Sequence, residues 1–137
     1  MPSDICTEAD IREMVERFYG MIRADEALGP IFEAHIDDWD EHLRTLSDFW
    51  SSMLLRTGRF RGAPMPRHMR LPGLSAELFE RWLALFAESL QQHPNQQMAV
   101  RAADMATRIA QRLWLGYQMA NFPQQPATPL LHLSRYR

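Results

Sequence analysis

Apolar side chains recur at the spacing of an α-helix in four long stretches of this chain, and prolines or glycines break the chain between them. Residues 8–25 carry Ile11, Met14, Val15, Phe18, Tyr19 and Ile22 on one face, and residues 38–56 carry Trp39, His42, Leu43, Leu46, Phe49, Trp50, Met53 and Leu54. Residues 75–91 follow with Leu78, Phe79, Trp82, Leu83, Leu85, Phe86 and Leu90, and residues 95–120 with Met98, Ala102, Met105, Ile109, Leu113 and Tyr117. No Asn-Gly or Asp-Gly hairpin signal and no internal repeat occurs. The pattern predicts an all-α fold.

The ends of these helices are written into the sequence. Thr7 with Asp10 has the form of a capping box, Ser75 is placed to cap the third long helix, and Pro94-Asn95 opens the fourth. Leu28-Gly29-Pro30-Ile31-Phe32 breaks the first pattern and predicts a sharp corner leading into a short helix that ends near Ala34. Asp37, Asp38, Asp40 and Glu41 lack the Asp-x-Asp-x-Asp-Gly spacing of a calcium loop, and read as carboxylates at the positive end of a helix. Between 57 and 74 the breakers Gly58, Gly62, Pro64, Pro66, Pro72 and Gly73 leave room for one helical turn, around Arg67-His68-Met69-Arg70.

At 137 residues, 46% of them apolar, one packed domain is expected, covering 1–120, with a mobile Pro- and Gln-containing tail over 121–137. All 15 basic residues are arginine, which removes Schiff-base chemistry and a phosphate-loop lysine. Cys6 is the single cysteine, so an internal disulfide, a four-cysteine metal site and a covalent Cys-x-x-Cys-His haem attachment are all excluded. No basic stretch followed by an apolar run opens the chain, and no run approaches the ~20 apolar residues of a membrane span, so a cytoplasmic protein without membrane contact is expected. A formal charge of −2 argues against a nucleic-acid partner, although Arg56, Arg59, Arg61, Arg67 and Arg70 lie in a stretch free of acids.

Hydrolase and nucleotide-binding motifs are missing, and the five histidines, His35, His42, His68, His93 and His132, form no i, i+4 chelating pair. A metal already held by a macrocycle needs only one protein ligand, however. One histidine on a stiff segment suffices, and the apolar faces of 38–56 and 75–91 are suited to sandwich a flat ring, with Tyr19, His42 and Trp82 as polar groups on its other side. Read from the residues alone, a helical interaction module without haem stays open beside this.

Phe18-Tyr19, Leu28-Gly29-Pro30-Ile31-Phe32, Trp39-x-x-His42, Phe49-Trp50, Gly62-x-Pro64-x-x-x-His68 and Phe79-x-x-Trp82-Leu83-x-Leu85-Phe86, in this order and spacing, resemble the third group of bacterial truncated haemoglobins. The resemblance spans about residues 11–90, and the last helix fits by length and pattern. It implies a shortened globin, two helices stacked over two around non-covalent haem b, with His68 as the proximal iron ligand. It places Tyr19, His42, Leu46 and Trp82 around the distal position and Phe32, Phe49 and Phe86 against the ring.

Further expectations follow from residue type. Tyr19 and the donor-only indole of Trp82 suit a bound diatomic ligand such as oxygen or nitric oxide, and so predict slow oxygen release. His42 is open to roles as a polar gate, as a donor through water or as an alternative iron ligand, the gate being favoured. Arg67 is a candidate partner for a haem propionate, with an ordinary solvated surface as the alternative. Nitric-oxide dioxygenation is the enzymatic version of the reading and needs an external reductase, because no flavin or nicotinamide motif is present. Peroxidase-like activity is a weaker variant.

Overall fold

A computed structural model describes residues 5–60, 62 and 72–130 of the chain. Among them are five helices and no strand: α1 (Glu8–Ala24), α2 (Leu28–His35), α3 (Trp39–Leu55), α4 (Ala76–Gln91) and α5 (Gln96–Asn121). The expected helices lie within a residue or two of these bounds. The turn expected around Arg67-His68-Met69-Arg70 lies outside the described residues.

Local chemistry sets the helix ends. The Thr7 hydroxyl accepts the Asp10 N–H at 3.1 Å while the Asp10 carboxylate accepts the Thr7 N–H at 3.0 Å, a reciprocal capping box. Asp38, from the acidic cluster, caps α3 by accepting the Glu41 N–H at 3.1 Å, and Ser75 and Asn95 cap α4 and α5 in the same way. At the far end of α3, Arg56 takes a left-handed conformation with φ 58° and Gly58 follows at 72°, so the chain reverses out of the helix.

α1 is the centre of the packing. It lies against α2, α3 and α4, while α5 packs along α4 and meets α3 over a short stretch. The result is α1 with α3 over α4 with α5, in which α1 buries Ile11, Met14, Val15, Phe18, Tyr19 and Ile22. The α3 and α4 backbones stay apart, and the stacked rings of Trp50 and Phe86, 5.5 Å between centroids, bridge them.

The corner between α1 and α2 is tight. A side chain at Gly29 would place its Cβ 2.7 Å from the Arg23 carbonyl oxygen, so glycine is what lets the two helices approach. Asp25 closes the same corner: its carboxylate accepts the N–H groups of Ala27 and Leu28 at 3.1 and 2.9 Å and a forked pair of bonds from Arg81 on α4 at 2.8–3.0 Å. His93, buried in the turn between α4 and α5, ties that turn to α1: its Nδ1 accepts the Asn95 N–H at 2.9 Å, which leaves the proton on Nε2 to be donated to the Asp10 carbonyl at 3.1 Å. It is a structural histidine.

The segment after α5, which composition reads as a mobile tail, follows a defined path over 122–130. The Gln118 side chain donates to the Thr128 carbonyl and accepts its N–H, both at 2.8 Å, and the Gln111 side chain accepts the Leu130 N–H at 2.9 Å. Two helix-borne amides thus act as a backbone partner, and Leu130 is buried. Residues 131–137 lie outside the described part.

Arg81, followed by the N–H donors of Leu28 and Ala27, holds the Asp25 carboxyl below the usual carboxylate range. Its stabilising effect is therefore complete above the ordinary value near 4 and is lost as the pH falls through the lower folded value. Urea unfolding across this range is expected to show Asp25→Asn less stable than the parent at neutral pH, with the two converging in strong acid. A constant gap at all pH values would contradict that assignment.

Candidate functional site

The side chains singled out from the sequence converge on one end of α1. Phe18 and Tyr19 are consecutive and both buried, so they point about 100° apart around the helix and face different neighbours. Phe18 meets Trp82 and Phe86 of α4 edge-on, at 5.2 and 4.8 Å. Tyr19 meets Phe32 of α2 at 5.8 Å and His42 of α3 at 5.5 Å, again edge to face. Trp82 stacks on Phe86 at 5.6 Å, and its indole N–H donates to the Tyr19 phenol oxygen. Tyr19, Phe32, His42, Trp82 and Phe86 are thus one cluster drawn from four helices.

Leu46 and Phe49 extend it along α3, one and two turns beyond His42, and Phe49 packs on Trp50 and Phe60 at 5.7 and 5.2 Å. Arg67 and His68 lie outside the described residues. Among the other histidines, His93 has the structural role given above, His35 ends α2, and His132 is outside the described residues.

Burial separates two kinds of residue in this cluster. Tyr19 and Phe86 are buried, whereas Phe32, His42, Leu46, Phe49 and Trp82 each leave part of their surface uncovered by the chain, although their spacing is that of a helix core. A row of half-covered rings and aliphatic side chains on α2, α3 and α4, with a buried hydroxyl behind it, fits a flat apolar group carrying a polar atom at its centre. The residues present therefore fit a haem.

Burial also pushes the Tyr19 phenol well above its ordinary value near 10, with the Trp82 N–H opposing this to a smaller degree. The phenol stays protonated throughout the physiological range. Since its oxygen accepts from Trp82, its own proton is available to donate to a third partner.

Trp39 is the member that sequence reasoning missed. It read as one more ring of the α3 stripe, yet its ring lies 6.3 Å from Tyr19 and 5.7 Å from His42, edge-on to the latter. Outside it, the Arg23 guanidinium sits 4.3 Å over the ring and Arg23 Nε donates to Glu33 at 2.9 Å. Its indole Nε1 is buried without a hydrogen-bond partner among the described residues. With Arg23 half-exposed the cation–π contact is worth ~0.5–1 kcal/mol, and the orphaned donor costs ~1–3 kcal/mol, so the contact offsets only part of that cost. A contact across 16 residues of sequence and two helices has no local signature.

No family model matches the chain. A group 3 truncated haemoglobin from Campylobacter jejuni is 38% identical to it over 114 residues, which cover 80% of this chain and 90% of that protein. The crystal structure of a group III truncated haemoglobin from Campylobacter jejuni superposes with a TM-score of 0.77 at 34% identity, over 88% of this chain and 96% of the other. The chain belongs to the group 3 truncated haemoglobins. The two-over-two stacking of α1 and α3 on α4 and α5 is accordingly the shortened globin fold that the motifs implied. No described helix of this truncated haemoglobin is long and apolar enough to cross a membrane.

An alkaline titration of tyrosinate absorbance tests the state of the site. The chain has three tyrosines, and the difference between the parent and Tyr19→Phe isolates one of them. No ionisation is expected in that difference near pH 10, the ordinary phenol value. A normal titration there would mean that Tyr19 is in contact with water.

Proposed function

We propose that this truncated haemoglobin binds haem b non-covalently, with His68 as the proximal ligand, and uses it to bind oxygen and other diatomic ligands. The observation that carries the reading is the buried Tyr19 hydroxyl, accepting from Trp82 and bordered by half-covered apolar side chains. Family membership supports it. Bound haem supplies an iron centre with one position for a small ligand and a ferrous–ferric couple.

The rest is the work of the chain. Phe32, Leu46 and Phe49 provide apolar surface for the ring and keep water from it, while Phe86, expected against the ring, is buried by the chain and supports Trp82 from behind. His68 offers a neutral imidazole nitrogen to the metal, and Arg67 a guanidinium to a propionate. On the distal side the Trp82 indole fixes the Tyr19 oxygen by donating to it, which turns the Tyr19 O–H outward as a donor for a ligand that carries partial negative charge. Leu46 limits the room available there. His42, edge-on to Tyr19, is the polar gate. Low polarity around Tyr19 strengthens its donation, because no water competes for the proton. The catalytic extension is nitric-oxide dioxygenation, with electrons returned by a reductase outside this chain.

Absorption spectra of the purified protein in ferric, deoxy-ferrous and CO-bound forms test the reading. A haem Soret band that shifts on CO binding is expected, and His68→Ala should change the ferrous-CO spectrum; an unchanged one would count against His68 as the proximal ligand. A chain that stays colourless after haem addition would instead be a helical interaction module. Oxygen release tests the donors: Tyr19→Phe is expected to accelerate it roughly tenfold, the effect of removing one hydrogen bond worth ~1.5 kcal/mol, and Trp82→Phe by a similar or smaller factor. Unchanged release in both variants would remove them from ligand stabilisation. For dioxygenation, oxy protein mixed with nitric oxide should form nitrate repeatedly when both oxygen and a reductant are supplied, and only once when the reductant is left out.

A further inference from the structure

We propose that Trp39 is the outer leaf of the gate to the distal side of the site, held shut by Arg23. The proposal rests on the haem reading above and concerns how a ligand reaches Tyr19. Three observations carry it.

The first is position. Trp39 is the first residue of α3, directly after the bend at 36–38, and it is half-buried: its inner side meets Tyr19 and His42 at 6.3 and 5.7 Å, and its outer side meets Arg23. It therefore stands between solvent and the two polar residues of the distal cluster. His42 lies one turn further along α3, on the inner side of the Trp39 ring.

The second is the clamp. Arg23, in the last turn of α1, sits 4.3 Å over the ring and is itself held by Glu33 of α2 at 2.9 Å, both side chains being about half-exposed. The three residues come from three helices and form a strap across the corner where α1, α2 and α3 converge. Its two charged members, Arg23 and Glu33, are joined by a half-exposed ion pair alone, so the clamp can release the ring without disturbing the core.

The third is the reason to open. With the ring in place the indole N–H is buried and lacks a hydrogen-bond partner among the described residues, and turning the ring outward gives that donor to water. The attraction of Arg23 and the edge contacts hold the ring in, and the unsatisfied donor pushes it out. The gain of water by the donor offsets part of the attraction lost on opening, which brings the outward position within reach, as a gate requires. The buried core ring Trp114 also has an unpartnered indole nitrogen, so what sets Trp39 apart is that its donor lies in a half-buried ring at the surface, under a charged strap.

The experiment compares the parent with Arg23→Gln and Trp39→Ala as CO-bound ferrous proteins. CO association is followed after flash photolysis, and exchange of the Trp39 indole proton by NMR on chains labelled with 15N-tryptophan, the signal being assigned by its loss in Trp39→Phe. Arg23→Gln, a change at the surface, is expected to raise the association rate roughly three- to tenfold and to speed Trp39 indole exchange without affecting the indoles of Trp50, Trp82 and Trp114. Trp39→Ala is expected to raise association by at least as much. Association within about twofold of the parent in both variants, with CO spectra intact, would overturn the gate. If the parent shows no CO-bound spectrum, the haem reading is what fails. Indole exchange in the chain as purified then decides the strap separately, and unchanged exchange in Arg23→Gln overturns it.

Discussion

The architecture depends on the burial of two adjacent residues of one helix. Consecutive helical residues diverge by about 100°, so a helix that buries both Phe18 and Tyr19 has to be covered over a wide arc. α1 meets this condition by lying against α2, α3 and α4 together. Phe18 then serves the core, in contact with Phe86 and Trp82, and Tyr19 serves the site, in contact with Phe32 and His42. One turn of helix joins stability to chemistry.

That arrangement explains why the site is built from rings. Edge-to-face contacts fix the position of a side chain without polar atoms, and each is worth ~0.5–1.5 kcal/mol beyond area burial. Within this apolar frame the Tyr19 hydroxyl and the Trp82 indole are two polar groups brought together, and burial keeps the phenol protonated. The dry surroundings that make such a donor effective also limit what can pass through them. At the rim, where Arg23, Glu33 and Trp39 meet, the charged side chains remain about half-exposed to water.

The corner at Asp25 and Gly29 is the structural counterpart of the site. Gly29 lets α2 approach the end of α1 closely enough for Phe32 to touch Tyr19, and the forked Arg81–Asp25 contact fixes α4 against the same corner, one residue before Trp82. Residues outside the aromatic cluster thus determine the spacing of those within it. His93 does the same at the opposite end of α1, through bonds to Asp10 and Asn95.

The sequence by itself determined the helices, their caps and which residues to look for on the proposed distal side, Trp39 excepted. Helical periodicity, capping side chains and Gly-Pro breaks act over a few residues, and Tyr19, His42 and Trp82 stand in motif blocks whose spacing is specific. Tertiary structure alone decided what those residues do to one another. A helix more than sixty residues away brings Trp82 to the Tyr19 oxygen, and Trp39 differs from its neighbours in the α3 stripe in lying under Arg23 with its indole nitrogen buried. The path of 122–130 is of the same kind: its Pro- and Gln-rich composition has no periodicity, and its order comes from Gln111 and Gln118 on α5. Local pattern fixes backbone conformation, whereas burial and hydrogen-bond partners are properties of surfaces that meet only after the chain has folded.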